Sequence, residues 1–597
     1  MASSPLYIPL KGPNDIRLVC LQPGDTDSLV CDLIYVSLKD SPSYEALSYT
    51  WELDEPNLYD KTYSITLCQQ TFSVAPNLYF ALTHLQQQKP RMLWIDAISI
   101  NQKDLLERAQ QVRIMSNIYS SASRVVIWLG EEEPTDKLAF DHLRSWNVRL
   151  GVSEVSNNLQ AAIMKLGLPE LESPGWRALG SVLSRRWFRR MWIVQEAALA
   201  ASATAMCGSQ SIEWSIIENV LYYFNIGGMH GLHALNTPGE VSAIGGTTVT
   251  KIRFFKKSIE SNSRLPLLYL LLYTRTLEAA DPRDKVYGLL SLVENSPLVL
   301  ADYSISTDEL FENINTKFME IDENLELLSY FDEASFKQPL AGAPWSPNWR
   351  VLEHQRNGLC QFQNRFSALS LGTNARNFSR DGSRLRTSGI IFDSLVHIGP
   401  LGVAGYLDKG GGSVQYSRDI TSFIAACELI AKQSVIPDEP NKDMNGDLWR
   451  TMICNTDGLG ELPTDDFSDR YRSFKGFMKM LHDPGLSIAA KLSFGEAGLQ
   501  KICIESNEFV SLLDRWIHGR VFCRTHQGYL GMLPAGSQPG DAICGILGAK
   551  TPFVIREREK SDGYYQLIGE CYIHGRMSGE LFSLPDFDAR LQDIVLG

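Results

Sequence analysis

The 597-residue sequence predicts an α/β protein: a parallel sheet with flanking helices, then a mostly helical region, then a small β module. Three observations carry that expectation. Residues 93–130 read LWIDAISINQKDLLERAQQVRIMSNIYSSASRVVIWLG, where two short apolar runs bracket a polar loop and a segment of helical period. Residues 209–335 read as mostly helical, with the longest apolar stretch of the chain at 265–273. Residues 516–597 hold short β-rich pieces separated by turn residues.

Taken in order, residues 1–43 form a β lead-in, with alternation at 16–20 and 28–36. The α/β domain covers 44–208. Its runs at 93–95 and 124–129 are rich in β-branched and aromatic residues, as strands buried on both faces are. Between them Leu105 or Leu106, Ala109, Val112, Met115 and Ile118 or Tyr119 recur every three to four residues, predicting a helix with one apolar stripe. A connection of this length favours parallel pairing. Asn101 or Asp104 supplies the helix cap. In open α/β sheets ligands sit where loops leave the carboxyl ends of strands, and Asp96, Ser99, Asn101 and Gln102 occupy such a loop. An insertion is expected at about 131–175, ending in Ser173-Pro174-Gly175. In the helical region 209–335, residues 265–272 read as a buried helix and Asp281-Pro282 as the start of another. Residues 336–515 read as mixed and mostly helical, punctuated by a loop at Gly410-Gly411-Gly412. In the β-rich module, strands are expected at 520–524, 542–547, 553–556 and 565–570.

Composition sets bounds. Hydrophobic residues make up 44% and charged residues 21%, the balance of an ordinary globular chain. The 56 basic against 69 acidic residues give a net charge of -13, which argues against nonspecific nucleic-acid binding. Eleven cysteines, scattered and never in a C-x-x-C pair, argue against a disulfide framework or a zinc site and fit a reducing, cytoplasmic compartment. No stretch is apolar and long enough to span a bilayer. The glycine run lacks a following Lys-Ser or Lys-Thr, so it is no P-loop.

Three blocks carry a family resemblance: YEALSYTW at 44–51, the 93–130 segment, and RWFRRMWIVQEAALA at 186–200. In this order and spacing the chain resembles the HET domain of filamentous fungi, named for heterokaryon incompatibility. DPRDKVYGLL at 281–290, Asp302-Tyr303-Ser304 and GECYIHG at 569–575 resemble segments that follow HET domains. Two positions depart from the family pattern, with Glu52 where Gly is usual and Ser99 where Cys is usual. Ser99 excludes a cysteine nucleophile at that position. The order strand, polar loop, helix, strand, then a helix bearing Trp-x-x-x-Glu also resembles the TIR domain, a flavodoxin-like fold. Trp192 and Glu196 match the TIR pattern, whereas Arg190, Ile193 and Ala197 depart from it. These resemblances imply non-self recognition and programmed cell death, acting with other incompatibility proteins or by self-association. The TIR resemblance further implies NAD as a candidate substrate, with no resident cofactor and no metal.

By that resemblance Glu196 is the candidate catalytic acid, and Trp51, Asp96, Asn101, Gln102 and Trp192 are candidate ligand-binding residues. Breaking the N-glycosidic bond of NAD builds oxocarbenium character on the ribose while nicotinamide departs neutral, so one carboxylate suffices. Each residue also has a structural reading. Glu196 pairs with Arg189 or Arg190, Trp187 and Trp192 anchor a core, and Asn101 caps a helix. Asp96 makes a structural bond, Glu107 and Gln111 support a helix surface, and His574 satisfies a turn. The alternative to an NAD hydrolase is a non-catalytic signalling or recognition scaffold. A pocket joining Glu196 to Trp51, Asp96 and Asn101 favours the enzyme, and a salt bridge outside the helix favours the scaffold.

Overall fold

The computed structural model describes residues 6–24, 29–51, 63–150, 173–226, 241–293, 299–350, 358–359, 366–370, 378–402, 414–434, 444–457, 461–482, 506, 509–510, 512–513, 515–558 and 563–597. Of the expected insertion, 151–172 lie outside these residues, as do Glu52 and the glycine run at 410–412. The chain divides into two compact units, residues 1–306 and 307–597.

In the first unit the strands are β1 (Asp15–Leu21), β2 (Val30–Ser37), β3 (Glu45–Ser48), β4 (Tyr63–Leu67), β5 (Gln70–Val74), β6 (Arg91–Trp94), β7 (Arg124–Gly130), β8 (Ala203–Cys207) and β9 (Gln210–Glu213). They form one sheet in the order β5-β4-β2-β1-β6-β3-β7-β8-β9. The central run β6-β3-β7-β8 is parallel throughout. Around it β1 pairs antiparallel with β2 and β6, β4 with β5, and β8 with β9. The sheet is therefore mixed, which corrects the expectation of a parallel sheet. Short connections such as Cys68-Gln69 between β4 and β5 join only antiparallel neighbours, whereas each step within the parallel run has room for a crossover. The lead-in strands β1 and β2 belong to this same sheet.

Chain order within the parallel run is β3, β6, β7, β8, so the chain steps to one side of β3 and then crosses to the other. Loops leaving the carboxyl ends of β3 and β7 thus diverge, the place where open α/β sheets hold their ligands. The four residues of β3 are held at both ends. At its amino end the half-buried Glu45 carboxylate accepts from Arg91 on β6 and from Arg124 Nε on β7 at 2.8 Å. Burial pushes the Glu45 carboxyl up, but these two guanidiniums outweigh it and hold the group below its ordinary range.

The helix Leu105–Ser121 crosses from β6 to β7, and Asp104 caps it by accepting from the amides of Leu106 and Glu107. Its buried stripe begins later than the periodicity suggests: Ala109, Met115, Ile118 and Tyr119 are buried, while Leu105 and Leu106 are 56% and 85% exposed. In the first two turns Glu107 and Gln111 face inward instead, because the lead-in offers them polar partners. Arg17 pairs with Glu107, and the Asp15 carbonyl accepts from Gln111 at 3.0 Å.

After β7, Gly130 turns the chain at φ 122°, and Arg185 fills the space where a side chain would stand. Arg185 donates to the Leu129 and Glu131 carbonyls and pairs with buried Asp136 at 2.6 Å. Beyond it lie the helices Asp136–Leu150, Pro174–Ser184, Trp214–Ile226, Val241–Glu260 and Leu267–Thr274. Trp146, Trp176 and Phe224 pack together among them, with the Trp146 and Trp176 rings stacked at 4.8 Å. The 281–290 motif folds as a turn and the short helix Asp284–Tyr287. There Arg283 bonds Asp281 and the Tyr303 and Ile305 carbonyls, and Arg108 lies 4.1 Å over the Tyr303 ring.

The second unit holds β10 (Phe378–Asp381), β11 (Arg384–Leu401), β12 (Arg520–Thr525), β13 (Leu530–Pro534), β14 (Ala542–Ile546), β15 (Phe553–Glu557), β16 (Tyr565–Glu570), β17 (Tyr572–Ile573) and β18 (Gln592–Leu596). The pairings β11-β14-β15-β16-β18-β11 close on themselves. From the other part of β11 the run continues through β12 and β13 to β17. The 18-residue β11 is the seam of this sheet, although it lies in the stretch read as mostly helical. A bulge between Ile391 and Asp393 shifts its inward face, which breaks the alternation that marks a strand. Helices Val414–Lys432, Met444–Met452 and Phe467–His482 share a core with Trp516, Phe522 and Met532. Buried Arg520 and Glu570 pair at 3.0 Å beside that core.

In the first unit Gly245 lies against the backbone of the Pro174–Ser184 helix, and a Cβ there would meet the Leu183 carbonyl oxygen at 1.9 Å. Backbone cannot yield as a side-chain end does. Gly245→Ala is expected to destabilise the protein by about 3 kcal/mol or more, measured by urea unfolding.

Candidate functional site

The cluster at the carboxyl end of β3 is built on three elements. From β3 and the turn after it come Ser48, Tyr49 and Trp51, from the start of the loop after β6 comes Asp96, and from the helix Ile193–Ala198 comes Glu196. That helix follows the 3-10 turn Arg186–Arg189, and its entry is held from outside. Met191 donates to the Glu278 carbonyl, Arg189 pairs with the Glu278 carboxylate at 3.3 Å, and Trp192 Nε1 donates to Asp284 at 3.1 Å.

Glu196 is 2% exposed and points inward. The Ser48 hydroxyl donates to its carboxylate, and Trp187 Nε1 donates to that same hydroxyl at 2.8 Å. The Tyr119 hydroxyl, 3.4 Å from the Leu47 carbonyl, also bonds it. Arg190 stands 4.0 Å away and donates to the Tyr49 carbonyl. Burial pushes the Glu196 carboxyl up to about 7, against the pull of Arg190 and of the Ser48 bond, and nearby Asp96 adds to the rise.

Asp96 is the more open acid. Half-buried, it accepts from Trp51 Nε1 at 3.0 Å, from the Ala97 amide at 2.7 Å and from the Tyr49 hydroxyl. Burial raises its pKa as well, with Arg190 opposing. Two carboxyls therefore face one guanidinium in a poorly solvated place, and burial raises the pKa of both. Trp51, 47% exposed, offers an aromatic face fixed by its bond to Asp96. Chemically the cluster can accept from ligand hydroxyls, present one cation to an anion, and stabilise positive charge.

Of the six residues singled out from sequence, Glu196, Asp96 and Trp51 come together. Gln102 lies behind them, its side chain donating to the Asp96 carbonyl at 2.9 Å. The Asn101 side chain accepts from the Lys103 amide, so it shapes the loop, and Asp104 takes the cap. Trp192 turns toward Asp284 and Tyr303, away from the Glu196 carboxyl, although the two are four apart in sequence. Ser99, at the family's usual cysteine position, is fully buried and accepts from the Ile95 amide at 3.1 Å. Periodicity marked Tyr119 only as a stripe member, and its hydroxyl next to Glu196 had no sequence signal. Ser48 and Tyr49 belong to the YEALSYTW block at 44–51. In the second unit His574 bonds the Tyr572 hydroxyl at 2.8 Å and lies 3.3 Å from Asp447. Among the described residues no group of three His, Cys, Asp or Glu is arranged to hold a metal.

Residues 44–196 match the family model described as heterokaryon incompatibility protein (HET). Residues 472–587 match that of the Het-6 beta-barrel domain. The chain is 24% identical to heterokaryon incompatibility protein 6, OR allele, of Neurospora crassa, over 95% of this chain and 94% of that protein. No solved structure matches. Among the described residues no helix is long and apolar enough to cross a membrane.

The buried acid has a consequence for stability. The folded pKa of Glu196 lies above its unfolded value of about 4.3, so the folded state keeps a proton that the unfolded state loses. Its contribution is full below the unfolded pKa and is lost as pH rises toward about 7. Urea unfolding at pH 5 and pH 8 is therefore expected to show Glu196→Gln gaining stability relative to wild type at the higher pH.

Proposed function

Taking as premise that the chain is a heterokaryon incompatibility (HET) domain protein, we propose that it acts in non-self recognition and regulated cell death through cleavage of NAD at the Glu196 cluster. The observation that carries this reading is the inward Glu196 carboxyl, joined through Arg190 to Asp96 and Trp51 at the carboxyl end of the parallel run. A second support is the order of that run, with chain positions second, first, third and fourth side by side, as in flavodoxin-like sheets.

In the proposed reaction the bond between the nicotinamide nitrogen and the ribose C1′ breaks, and its electron pair goes to the nitrogen. Nicotinamide leaves neutral, so no general acid is required. The ionised Glu196 carboxylate accepts from ribose hydroxyls and stabilises the oxocarbenium charge. Asp96 accepts from a further hydroxyl, Arg190 faces the diphosphate, and Trp51 bounds the ring. Water then adds at C1′ and releases its proton to solvent, leaving ADP-ribose. The ligand reaches Glu196 past Asp96 and Arg190, taking the place of the Ser48 hydroxyl.

One observation favours the non-catalytic scaffold instead: the Glu196 carboxyl already bonds Ser48 and Tyr119 inside the domain. In that case the cluster sets the shape of a recognition surface for other incompatibility proteins or for a second copy.

The two readings separate in an assay of nicotinamide release by concentrated full-length protein. Wild type is expected to turn over NAD, and Glu196→Gln is expected to lose about 100-fold or more in kcat. Because the ionised carboxylate is the working form, wild-type kcat/KM is expected to rise with pH to a plateau above about 7. Absence of turnover in wild type gives the scaffold reading, and equal turnover in both proteins moves the chemistry elsewhere.

A further inference from the structure

We infer that residues 7–17, which precede the matched domain, form a strap that positions the Asp96 loop, with Arg17 and Tyr7 as positioning residues. Arg17 on β1 is fully buried, and its guanidinium grips Glu107 with two bonds, Nη1 to Oε1 at 2.6 Å and Nη2 to Oε2 at 2.9 Å. Its remaining reach goes to backbone: Nη1 donates to the Ser99 carbonyl at 3.1 Å and Nη2 to the Ile8 carbonyl at 2.7 Å. Glu107 Oε1 also accepts from the Asn101 amide at 2.7 Å. The Tyr7 hydroxyl donates to the Ile98 carbonyl at 3.1 Å, and the Tyr7 and Tyr35 rings cover the guanidinium at 5.1 and 5.3 Å.

Polar groups of Ile98, Ser99 and Asn101 are thus all held from the strap or from its ion-pair partner. On the inner side the loop is closed by Gln102 on the Asp96 carbonyl and by the Ser99 hydroxyl on the Ile95 amide. Further along, the Gly12 carbonyl accepts from Gln110 and the Asp15 carbonyl from Gln111. The backbone from Ile98 to Asn101 is therefore held from two sides. A buried ion pair yields little net stability, because desolvation offsets the attraction. What this one supplies is a set of directed bonds to a loop that carries a carboxylate at its start, and a side chain must be held to within about 0.5 Å for a site to work.

The test removes the bonds and keeps the packing. Arg17→Met with Glu107→Met deletes both charges together, which buried pairs tolerate far better than loss of one partner. Tyr7→Phe removes a single hydroxyl and stands in should the double variant fail to fold. In the full-length chain, hydrogen exchange of residues 95–102 is expected to quicken about tenfold or more in the double variant and to a lesser degree in Tyr7→Phe, while the β7 amides keep their protection. The activity arm rests on the NAD reading: the KM for NAD is expected to rise about tenfold with kcat little changed, because Asp96 and not Glu196 is displaced. Unchanged exchange at 95–102 in a folded double variant, or in Tyr7→Phe where the double variant does not fold, overturns the strap. Absence of NAD turnover in wild type overturns the NAD reading alone, since the exchange arm still decides the strap.

Discussion

The architecture of the first unit turns on a four-residue strand. β3 has β6 on one side and β7 on the other, so the parallel run exists only if β3 is in place. Short strands offer few ladder bonds, and β3 is reinforced at its ends by side chains. At one end Glu45 ties both neighbours through Arg91 and Arg124. At the other, Ser48 receives Trp187 and reaches Glu196. The charge that stitches the sheet and the acid of the candidate site are thus held by opposite ends of one short segment. Register along β3 fixes both, because a slip by one residue would turn each of these side chains to the wrong face.

The segments outside the matched domain take on clear roles in this frame. β1 and β2 extend the sheet beyond β6 and bring the polar partners that pull Glu107 and Gln111 inward. The 281–290 motif fixes the other border: Asp284 receives Trp192 and Tyr303, while Arg108 covers the Tyr303 ring. Burial raises the Asp284 carboxyl to about 6, consistent with a group enclosed by two aromatic donors and shielded from solvent. Glu196 therefore sits on a six-residue helix whose entry is positioned by residues about 90 positions further along the chain.

Much of this was legible in the sequence. Apolar runs at 93–95 and 124–129 marked buried strands, the four C-terminal strands were bounded by their turn residues, and the polar loop after β6 was placed at a strand's carboxyl end. What escaped has a physical cause in each case. Leu105 and Leu106 fit the helical period, but the face they would have covered is occupied by Arg17 and the Asp15 backbone, partners some 90 residues away. Trp192 and Glu196 fit one helical face, but their side chains find separate partners at Asp284 and Ser48. β11 hid its alternation behind a bulge. Tyr119 joined the acid cluster through tertiary packing alone, whereas the pairing of Arg190 with Glu196 was read from sequence. Local pattern reports what a segment can bury, and the identity of the covering partner is a long-range property.

The closed ring of the second unit has a consequence for how the chain folds. Arg386 on β11 faces Asp593 on β18 across 207 positions of sequence, and β11 meets β14 more than a hundred residues away. The seam strand is thus made long before the strands that flank it. Until they arrive, its paired groups must be satisfied by water or by the neighbouring β10 hairpin. Contacts so distant close longer loops, at an added entropic cost of about 0.6 kcal/mol per doubling of length. The first unit gains its parallel run from segments nearer in sequence, so the ring of the second unit closes over longer loops than the acid-bearing sheet does.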